Sequence, residues 1–118
     1  MNLVFVYVTA GDAEEARRIG RAVVEERLAA CANIIPGMAS IYWWDGAVQE
    51  GSEAVLILKT TAERLAALIP RIKALHSYDC PAIEALPVAA AFQPYADWVA
   101  QETHGGSAAG GAGLSPGA

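Results

Sequence analysis

Before the C-terminal tail, this 118-residue chain has three thiol or imidazole side chains, the types that bind copper or zinc: Cys31, His76 and Cys80. Thiolate and imidazole groups suit Cu(I), Cu(II) and Zn(II). His76 and Cys80 are four positions apart, close enough in a loop to share one ion, and Asp79 and Glu84 would add oxygen ligands. These residues predict a site for Cu(II) or another divalent metal.

Each of the three side chains also has a purely structural interpretation. Cys31 begins an apolar strand, where a free thiol behaves as a small core residue. His76 follows a predicted helix, whose dipole favours a cationic imidazole at that end. Cys80 precedes Pro81 in an ordinary turn. The sequence leaves both interpretations open for each residue.

Groups suited to catalysis are few. No serine lies in the strand-to-helix context of a hydrolase nucleophile, and neither cysteine has an activating base beside it in the sequence. Most acidic side chains fall on predicted helix surfaces, where carboxylates usually serve as solvated charges. We therefore predict that the protein is not an enzyme.

The charge balance and the apolar pattern exclude two classes of partner. The formal net charge is −5 and the eight basic residues are scattered, whereas binding to a phosphate backbone requires clustered Lys and Arg. No apolar run is long enough to span a bilayer, and residues 2–9 alternate like a strand rather than a signal peptide. We predict a cytoplasmic protein with free thiols that binds neither nucleic acid nor membrane.

The apolar pattern predicts an α+β protein with the element order βαββαβ plus a C-terminal helix. Strands are expected at 2–9, 31–45, 53–60 and 82–91, and the last helix is expected at 92–103. Asp12 with Glu15, and Thr60 with Glu63, have the spacing of capping boxes that open the first two helices. This order is typical of a ferredoxin-like, split βαβ fold, with helices on one face of an antiparallel sheet.

Three prolines are expected to disturb these elements. Pro36 cannot donate to a strand ladder and therefore predicts a bulge or an edge position in the second strand. Pro87 predicts an edge position for the fourth strand. Pro70 is expected to kink the second helix or to split it.

The second and third strands form a hairpin that is longer than a domain of this size needs. A turn of about seven residues is expected from Asp45. Tyr42, Trp43 and Trp44 lie near the tip, and adjacent side chains on a strand point to opposite faces. An outward indole on a protruding hairpin indicates a partner chain.

The chain divides into one domain, residues 1–103, and a flexible tail, residues 104–118. From Gly105 the sequence is GGSAAGGAGLSPGA, which has no charged residue. Such a segment buries too little apolar surface to offset an ordering entropy of about 1–2 kcal/mol per residue. We therefore expect a tail or a linker.

Two sequence blocks resemble the CutA family, small trimeric proteins linked to divalent-cation tolerance. The blocks are LAACANIIP over 28–36 and SIYWWDG over 40–46. The resemblance extends over residues 4–103 and implies a ferredoxin-like fold and a role in the response to metal ions. It also implies a homotrimer that the long hairpin joins, with Tyr42, Trp43 and Trp44 at the trimer interface.

The resemblance further implies a ligand cleft between subunits. The family's recurrent polar and aromatic positions near that cleft correspond here to Thr9, Lys59, His76, Tyr78, Tyr95 and Trp98. Where copper-binding members have a cysteine and a second histidine, this chain has Val8 and Leu75 and keeps His76. Copper binding then requires Cys80 or a neighbouring subunit.

The alternative function is that of a PII-like signalling or scaffold trimer, which holds a small ligand or a protein partner between subunits. Lys59 ends an apolar strand, so it either presents a cation to an anionic ligand or extends its amine to water. The sequence has no glycine-rich phosphate loop. The cleft ligand is therefore not specified by the sequence.

Overall fold

The computed structural model describes residues 2–104, which contain four strands and three helices in the predicted order. The strands are β1 (Leu3–Ala10), β2 (Cys31–Trp44), β3 (Ala47–Thr61) and β4 (Ile83–Pro87), and the helices are α1 (Ala13–Glu25), α2 (Leu65–Leu75) and α3 (Gln93–Glu102). A short 3-10 helix, Ala62–Arg64, precedes α2. The predicted tail lies outside the described residues, apart from His104. None of the described helices is long and apolar enough to cross a membrane.

The four strands form one antiparallel sheet in the order β2-β3-β1-β4. This is a ferredoxin-like order, because each βαβ crossover passes over one intervening strand. β2 and β4 are the edge strands. The edge position that Pro87 predicts for the fourth strand is therefore confirmed, and Pro36 also lies on an edge strand.

Helices α1 and α2 pack on one face of the sheet and form the main core with it. The fully buried side chains of this core are Val6, Val8, Ala10, Ala54, Leu56 and Leu58 on the strands, and Ala16, Ile19, Val23, Leu68 and Ile72 on the helices. Each large aliphatic side chain buried here contributes about 1.5–3 kcal/mol. Helix α3 packs on the opposite face, where Ala96 and Val99 form a smaller cluster with Leu3.

The pairing of β2 with β3 shifts between Ile35 and Met38. At this point two residues of β2, Pro36 and Gly37, lie opposite a single residue of β3, as in a β-bulge. Gly37 has a φ of +73°, which a residue without a Cβ adopts without strain. The predicted bulge at Pro36 is confirmed.

A two-residue turn joins β2 to β3, and the prediction of a seven-residue turn was wrong. Asp45 and Gly46 have φ angles of 52° and 77°, as the tight hairpin turns that match strand twist require. β3 consequently starts at Ala47 rather than at residue 53. The polar segment 49–53 resembles a loop in sequence because most of it is exposed and lies outside the core of the described domain.

The two predicted capping boxes have different outcomes. The Asp12 carboxylate accepts the Glu15 N–H at 2.8 Å, as predicted. The prediction for Thr60 was wrong, because Thr60 is a buried strand residue whose hydroxyl donates to the Leu28 carbonyl at 2.7 Å. Helix α2 has no side-chain cap at its start and continues through Pro70 without being split.

Strand β4 has five residues rather than the ten predicted from sequence. It pairs with β1 over residues 83–87. The next amide, that of Val88, still donates to the Leu3 carbonyl at 3.1 Å, after which the chain turns away to start α3. The apolar run 88–91 therefore belongs to a connection and not to the sheet.

Beyond the bulge, β2 and β3 continue as a two-stranded ribbon, residues 38–53, that leaves the rest of the described domain, here called the body. β1 pairs with β3 over residues 54–61, so the ribbon has no third strand from the described part of the chain. At about 3.3 Å per residue, its strands extend roughly 23 Å past the bulge. An isolated two-stranded hairpin is marginally stable in water, so a surface that covered the ribbon would stabilise it.

Candidate functional site

The ribbon carries a cluster of exposed large apolar side chains. Trp43 is 75% exposed and Trp44 is 69% exposed. Ile41 and Val48 lie on the same face as Trp43, since Val48 is its direct partner across the ribbon. Tyr42 shares the other face with Trp44. Both faces of the ribbon are therefore apolar and uncovered in a single chain, which is typical of an interaction surface.

Two of the predicted metal ligands, Cys31 and His76, lie near opposite ends of β1. Cys31 is paired with Lys59, which is itself opposite Phe5 of β1. The ring of His76 instead contacts the carbonyl oxygen of Thr9. Phe5 and Thr9 are about 13 Å apart along an extended strand. Cys31 and His76 of one chain therefore do not converge on one ion.

Both ring nitrogens of His76 form hydrogen bonds within the chain. Nδ1 accepts the backbone N–H of Tyr78 at 3.0 Å, so Nε2 carries the proton that it donates to the Thr9 carbonyl at 2.8 Å. The His76 side chain is fully buried, and the Glu15 carboxylate lies 3.8 Å from Nδ1. A metal ion at either nitrogen would have to displace one of these hydrogen bonds.

The two thiols are also in different environments. Cys80 is exposed and Cys31 is buried, with its Sγ 3.5 Å from the hydroxyl of Tyr95. Among residues 2–104, no three His, Cys, Asp or Glu side chains are arranged to hold a metal ion. The expected set of His76, Cys80 and Cys31 is thus not assembled within one chain.

Three of the predicted cleft residues, Lys59 on β3 and Tyr95 and Trp98 on α3, lie together where α3 packs on the sheet. The Nζ of Lys59 lies 5.3 Å from the ring centroid of Phe5 and 5.5 Å from that of Tyr95, distances at which aromatic faces attract a cation. The rings of Tyr95 and Trp98 are 5.6 Å apart. Burial, and then the contact with Cys31, raise the pKa of Tyr95 above its usual range. The phenol therefore stays neutral beside the lysine.

The other predicted cleft residues, Thr9, His76 and Tyr78, lie together at the far end of β1. The Tyr78 hydroxyl donates to Oε2 of Glu53 at 2.6 Å, and its ring centroid is 4.7 Å from that of His76. Burial, and then the hydrogen bond to Glu53, raise the pKa of Tyr78 above its usual range. Tyr78 therefore remains a hydrogen-bond donor at any ordinary pH. The cleft residues of one chain form two separate groups rather than one pocket.

Glu15, which the sequence pattern presents only as a capping residue, is a buried carboxylate between α1 and the loop after α2. Its Oε1 accepts the Gly11 N–H at 2.9 Å and its Oε2 accepts the Ser77 N–H at 2.8 Å. Burial acts to raise the pKa of Glu15, but the hydrogen bonds from Ser77 and Gly11, with the nearby His76, outweigh it and hold that pKa below its usual range. The carboxylate thus joins two segments distant in sequence.

We expect Glu15→Gln to destabilise the domain by about 1–3 kcal/mol, because an amide cannot replace two charge-assisted acceptors. Since the pKa of Glu15 is lowered in the folded protein, the carboxylate contributes its full share to the free energy of unfolding above about pH 4.3, the usual pKa of a glutamate. That contribution is lost as the pH falls through the lower native pKa. Denaturant unfolding between pH 7 and pH 3 measures both effects.

The exposed neighbour provides the matched control for this prediction. Glu14→Gln makes the same chemical change on the solvent side of α1 and should leave the free energy of unfolding within about 0.5 kcal/mol. The prediction is contradicted if Glu15→Gln and Glu14→Gln have the same free energy of unfolding at pH 7 and lose stability equally in acid. In that case the hydrogen bonds of the Glu15 carboxylate do not stabilise the domain.

The sequence and the fold match proteins of divalent-cation tolerance. A family model described as CutA1 divalent ion tolerance protein matches residues 4–102. The divalent-cation tolerance protein CutA of Thermus thermophilus is 49% identical over 98 residues, which cover 83% of this chain and 95% of that protein. The Oryza sativa chloroplastic protein CutA 1 is 42% identical over 100 residues, which cover 85% of this chain and 56% of that longer protein.

Solved structures show the same likeness. The Cut A1 structure from Thermus thermophilus has a TM-score of 0.82 and 47% identity, and the match covers 85% of this chain and 97% of that chain. The CutA structure from Xylella fastidiosa has a TM-score of 0.85 and 35% identity, with 87% and 99% of the two chains covered. The described domain is therefore close in sequence and in fold to these proteins.

Proposed function

Because this chain belongs to the CutA1 family of divalent ion tolerance proteins, we propose that it acts in divalent-cation tolerance as a homotrimer without enzymatic activity. The main support for this proposal is that the ribbon, residues 38–53, has apolar faces that are exposed in a single chain.

The energetics of the ribbon support assembly. Trp43 and Trp44 expose their indoles on opposite faces. Covering one indole removes on the order of 150–250 Å² from water, which contributes roughly 4–6 kcal/mol before the costs of association. A neighbouring copy that covers both faces would stabilise both the ribbon and the assembly. We therefore place Tyr42, Trp43 and Trp44 at the interface between copies.

The trimer is tested by light scattering. We expect a mass of three chains of 12.3 kDa each, because a stable single chain would leave the ribbon in water. The measurement is made at micromolar concentration on the full chain. A mass equal to one chain would contradict the proposal.

A metal centre built from one chain is not part of the proposal. His76 uses both ring nitrogens, Cys31 lies near the other end of β1, and Cys80 is an exposed thiol without converging ligands among the described residues. Tight binding of Cu(II) or another divalent metal would require side chains from more than one copy or a rearranged loop. Cation tolerance in this chain therefore does not depend on a tight centre of its own ligands.

Calorimetric titration of the reduced protein with Cu(II) and with Zn(II) tests this part of the proposal. We expect weak binding that His76→Ala leaves unchanged, because neither nitrogen of His76 is available. Cys80→Ser is the companion variant, since it removes the exposed thiol without disturbing the core. Stoichiometric, tight binding that His76→Ala abolishes in a folded variant would show a centre at this histidine and overturn the expectation.

A second candidate, PII-like binding of a small ligand or a protein partner between copies, is favoured by the group around Lys59. A cation between the rings of Phe5 and Tyr95, with Trp98 adjacent, is suited to an anion that approaches from another copy. Inorganic phosphate and citrate are suitable first probes. A rise in melting temperature that Lys59→Met removes would favour this function.

A cytoplasmic location stays a prediction. Two plant relatives are named chloroplastic, and the Archaeoglobus fulgidus structure is named periplasmic. Members of the family therefore carry names from different compartments. Fractionation of cells that express the native chain tests the location.

A further inference from the structure

Two tyrosine hydroxyls of the body contact the base of the ribbon, one on each strand. The Tyr78 hydroxyl donates to Oε2 of Glu53 on β3 at 2.6 Å. The Tyr7 hydroxyl donates to Sδ of Met38 on β2 at 3.6 Å. Met38 and Glu53 are paired with each other and form the first pair beyond the bulge. Both contacts therefore lie where the ribbon leaves the sheet.

The pairing of the two strands is also interrupted at the base of the ribbon. Pro36 and Gly37 together face Ala54, which interrupts the ladder between β2 and β3. β1 ends at Ala10, directly opposite Ala54. From this point the β2–β3 ladder is interrupted, and no third strand from residues 2–104 lies beside the ribbon. β3 continues from the ribbon into the body as one strand, and side-chain contacts at the base add to it in setting the direction of the ribbon.

We propose that Tyr78 and Tyr7 form a latch that fixes the direction of the ribbon relative to the body. The contact of Tyr78 is the stronger of the two, because its short hydrogen bond to a carboxylate is charge-assisted. Tyr7 donates to a thioether, which is a weak acceptor. The consequence for assembly rests on the proposed homotrimer: a ribbon held in one direction meets a second copy without a further ordering cost. The latch itself is a property of the single chain.

The loop that carries Tyr78 is held in place by further hydrogen bonds. The backbone N–H of Tyr78 donates to Nδ1 of the buried His76 at 3.0 Å, and the two rings pack at 4.7 Å. The neighbouring Ser77 N–H donates to Glu15 at 2.8 Å. The phenol also packs on the turn after β1, since a Cβ at Gly11 would be in ordinary van der Waals contact with the Tyr78 hydroxyl, at 3.6 Å. The loop that carries Tyr78 is thus held to α1 and β1, which makes it a fixed anchor for the ribbon.

Hydrogen exchange of the ribbon amides, followed by mass spectrometry over residues 38–53, tests the latch. We expect Tyr78→Phe to speed exchange in the ribbon roughly tenfold, with little change in β1, because the lost bond is one to a charged acceptor. Tyr95→Phe is the matched control, since it removes a phenol hydroxyl that contacts Cys31 at the other end of the sheet. Glu53→Gln keeps an acceptor for Tyr78 and should have a smaller effect.

The results of these experiments test the latch and the proposed homotrimer separately. Equal ribbon exchange in Tyr78→Phe and Tyr95→Phe overturns the latch, and so does an acceleration spread evenly over the whole domain, which would indicate general destabilisation. Light scattering on the same samples reports on the proposed homotrimer. A single-chain mass for the unsubstituted protein overturns the trimer, while the exchange of its ribbon still decides whether the latch exists.

Discussion

Trp43→Glu is expected to reduce the mass measured by light scattering from three chains to one. The substitution removes an indole that is 75% exposed in the single chain and whose burial against another copy contributes roughly 4–6 kcal/mol. It also places a carboxylate in a surface that assembly would desolvate, at a cost of several kcal/mol. Together these effects weaken association by at least about a thousandfold. Trp44→Glu, on the other face of the ribbon, should act in the same direction.

The control for this prediction is a charge added where no interface is proposed. Ala67→Glu introduces the same side chain at an exposed position of α2 and should leave the mass at three chains. Light scattering and thermal melting of the three variants at equal concentration make the comparison. If both tryptophan variants keep the mass and the melting temperature of the unsubstituted protein, the ribbon is not the interface.

Gly20→Val should destabilise the domain by about 3 kcal/mol, which is the largest effect expected from a single change in the body. Gly20 lies in α1 where the helix backbone meets the sheet. A Cβ at this position would lie 2.9 Å from the Cβ of Ala32 and 3.1 Å from Cδ1 of Leu56. Because Ala32 belongs to the sheet itself, the helix has to move away from β2. Overpacking of this kind typically costs about 1–3 kcal/mol, and a branched side chain lies at the upper end.

Helix propensity changes the free energy of unfolding in the opposite direction to the clash at Gly20. A glycine inside a helix costs about 1 kcal/mol relative to alanine, so replacing Gly20 recovers part of that cost, and the clash has to exceed this gain before Gly20→Val destabilises the protein. Arg17→Val is the control, because it introduces the same branched residue on the exposed face of α1. Denaturant unfolding of both valine variants measures the difference. Equal free energies of unfolding would mean that the close approach at Gly20 is not tight in solution.

The local chemistry of the sequence determined the elements and their order. Pro36 lacks an N–H, so a strand that contains it must lie at an edge or form a bulge, and β2 does both. Asp12 caps α1 because its short carboxylate reaches an amide three residues on. The apolar stripe of α1, including Ile19 and Val23, is buried as its spacing predicts. These features depend on neighbours within a few residues, which a sequence displays directly.

Some predictions from sequence failed because a local pattern had a nonlocal use. Thr60 has the spacing of a helix cap, but its hydroxyl is taken by the Leu28 carbonyl from another part of the chain. The segment 49–53 is polar like a loop, yet it is a strand because it pairs with residues 38–42 of β2. Glu15 shares the stripe of Ile19, a position that would have marked it as buried. Glu53 carries no comparable signal.

The candidate site was decided by the tertiary structure. His76 is a metal-ligand type in any sequence, but Thr9 and Tyr78 engage both of its nitrogens only after α2 returns to the end of β1. Tyr78 and Glu53 are 25 residues apart and meet at 2.6 Å because the loop after α2 lies at the base of the ribbon. The sequence by itself therefore determined the fold family and the protruding hairpin, since these follow from residue type and spacing. Which polar groups are free to act is decided by which partners the fold brings to them, and no local pattern contains that information.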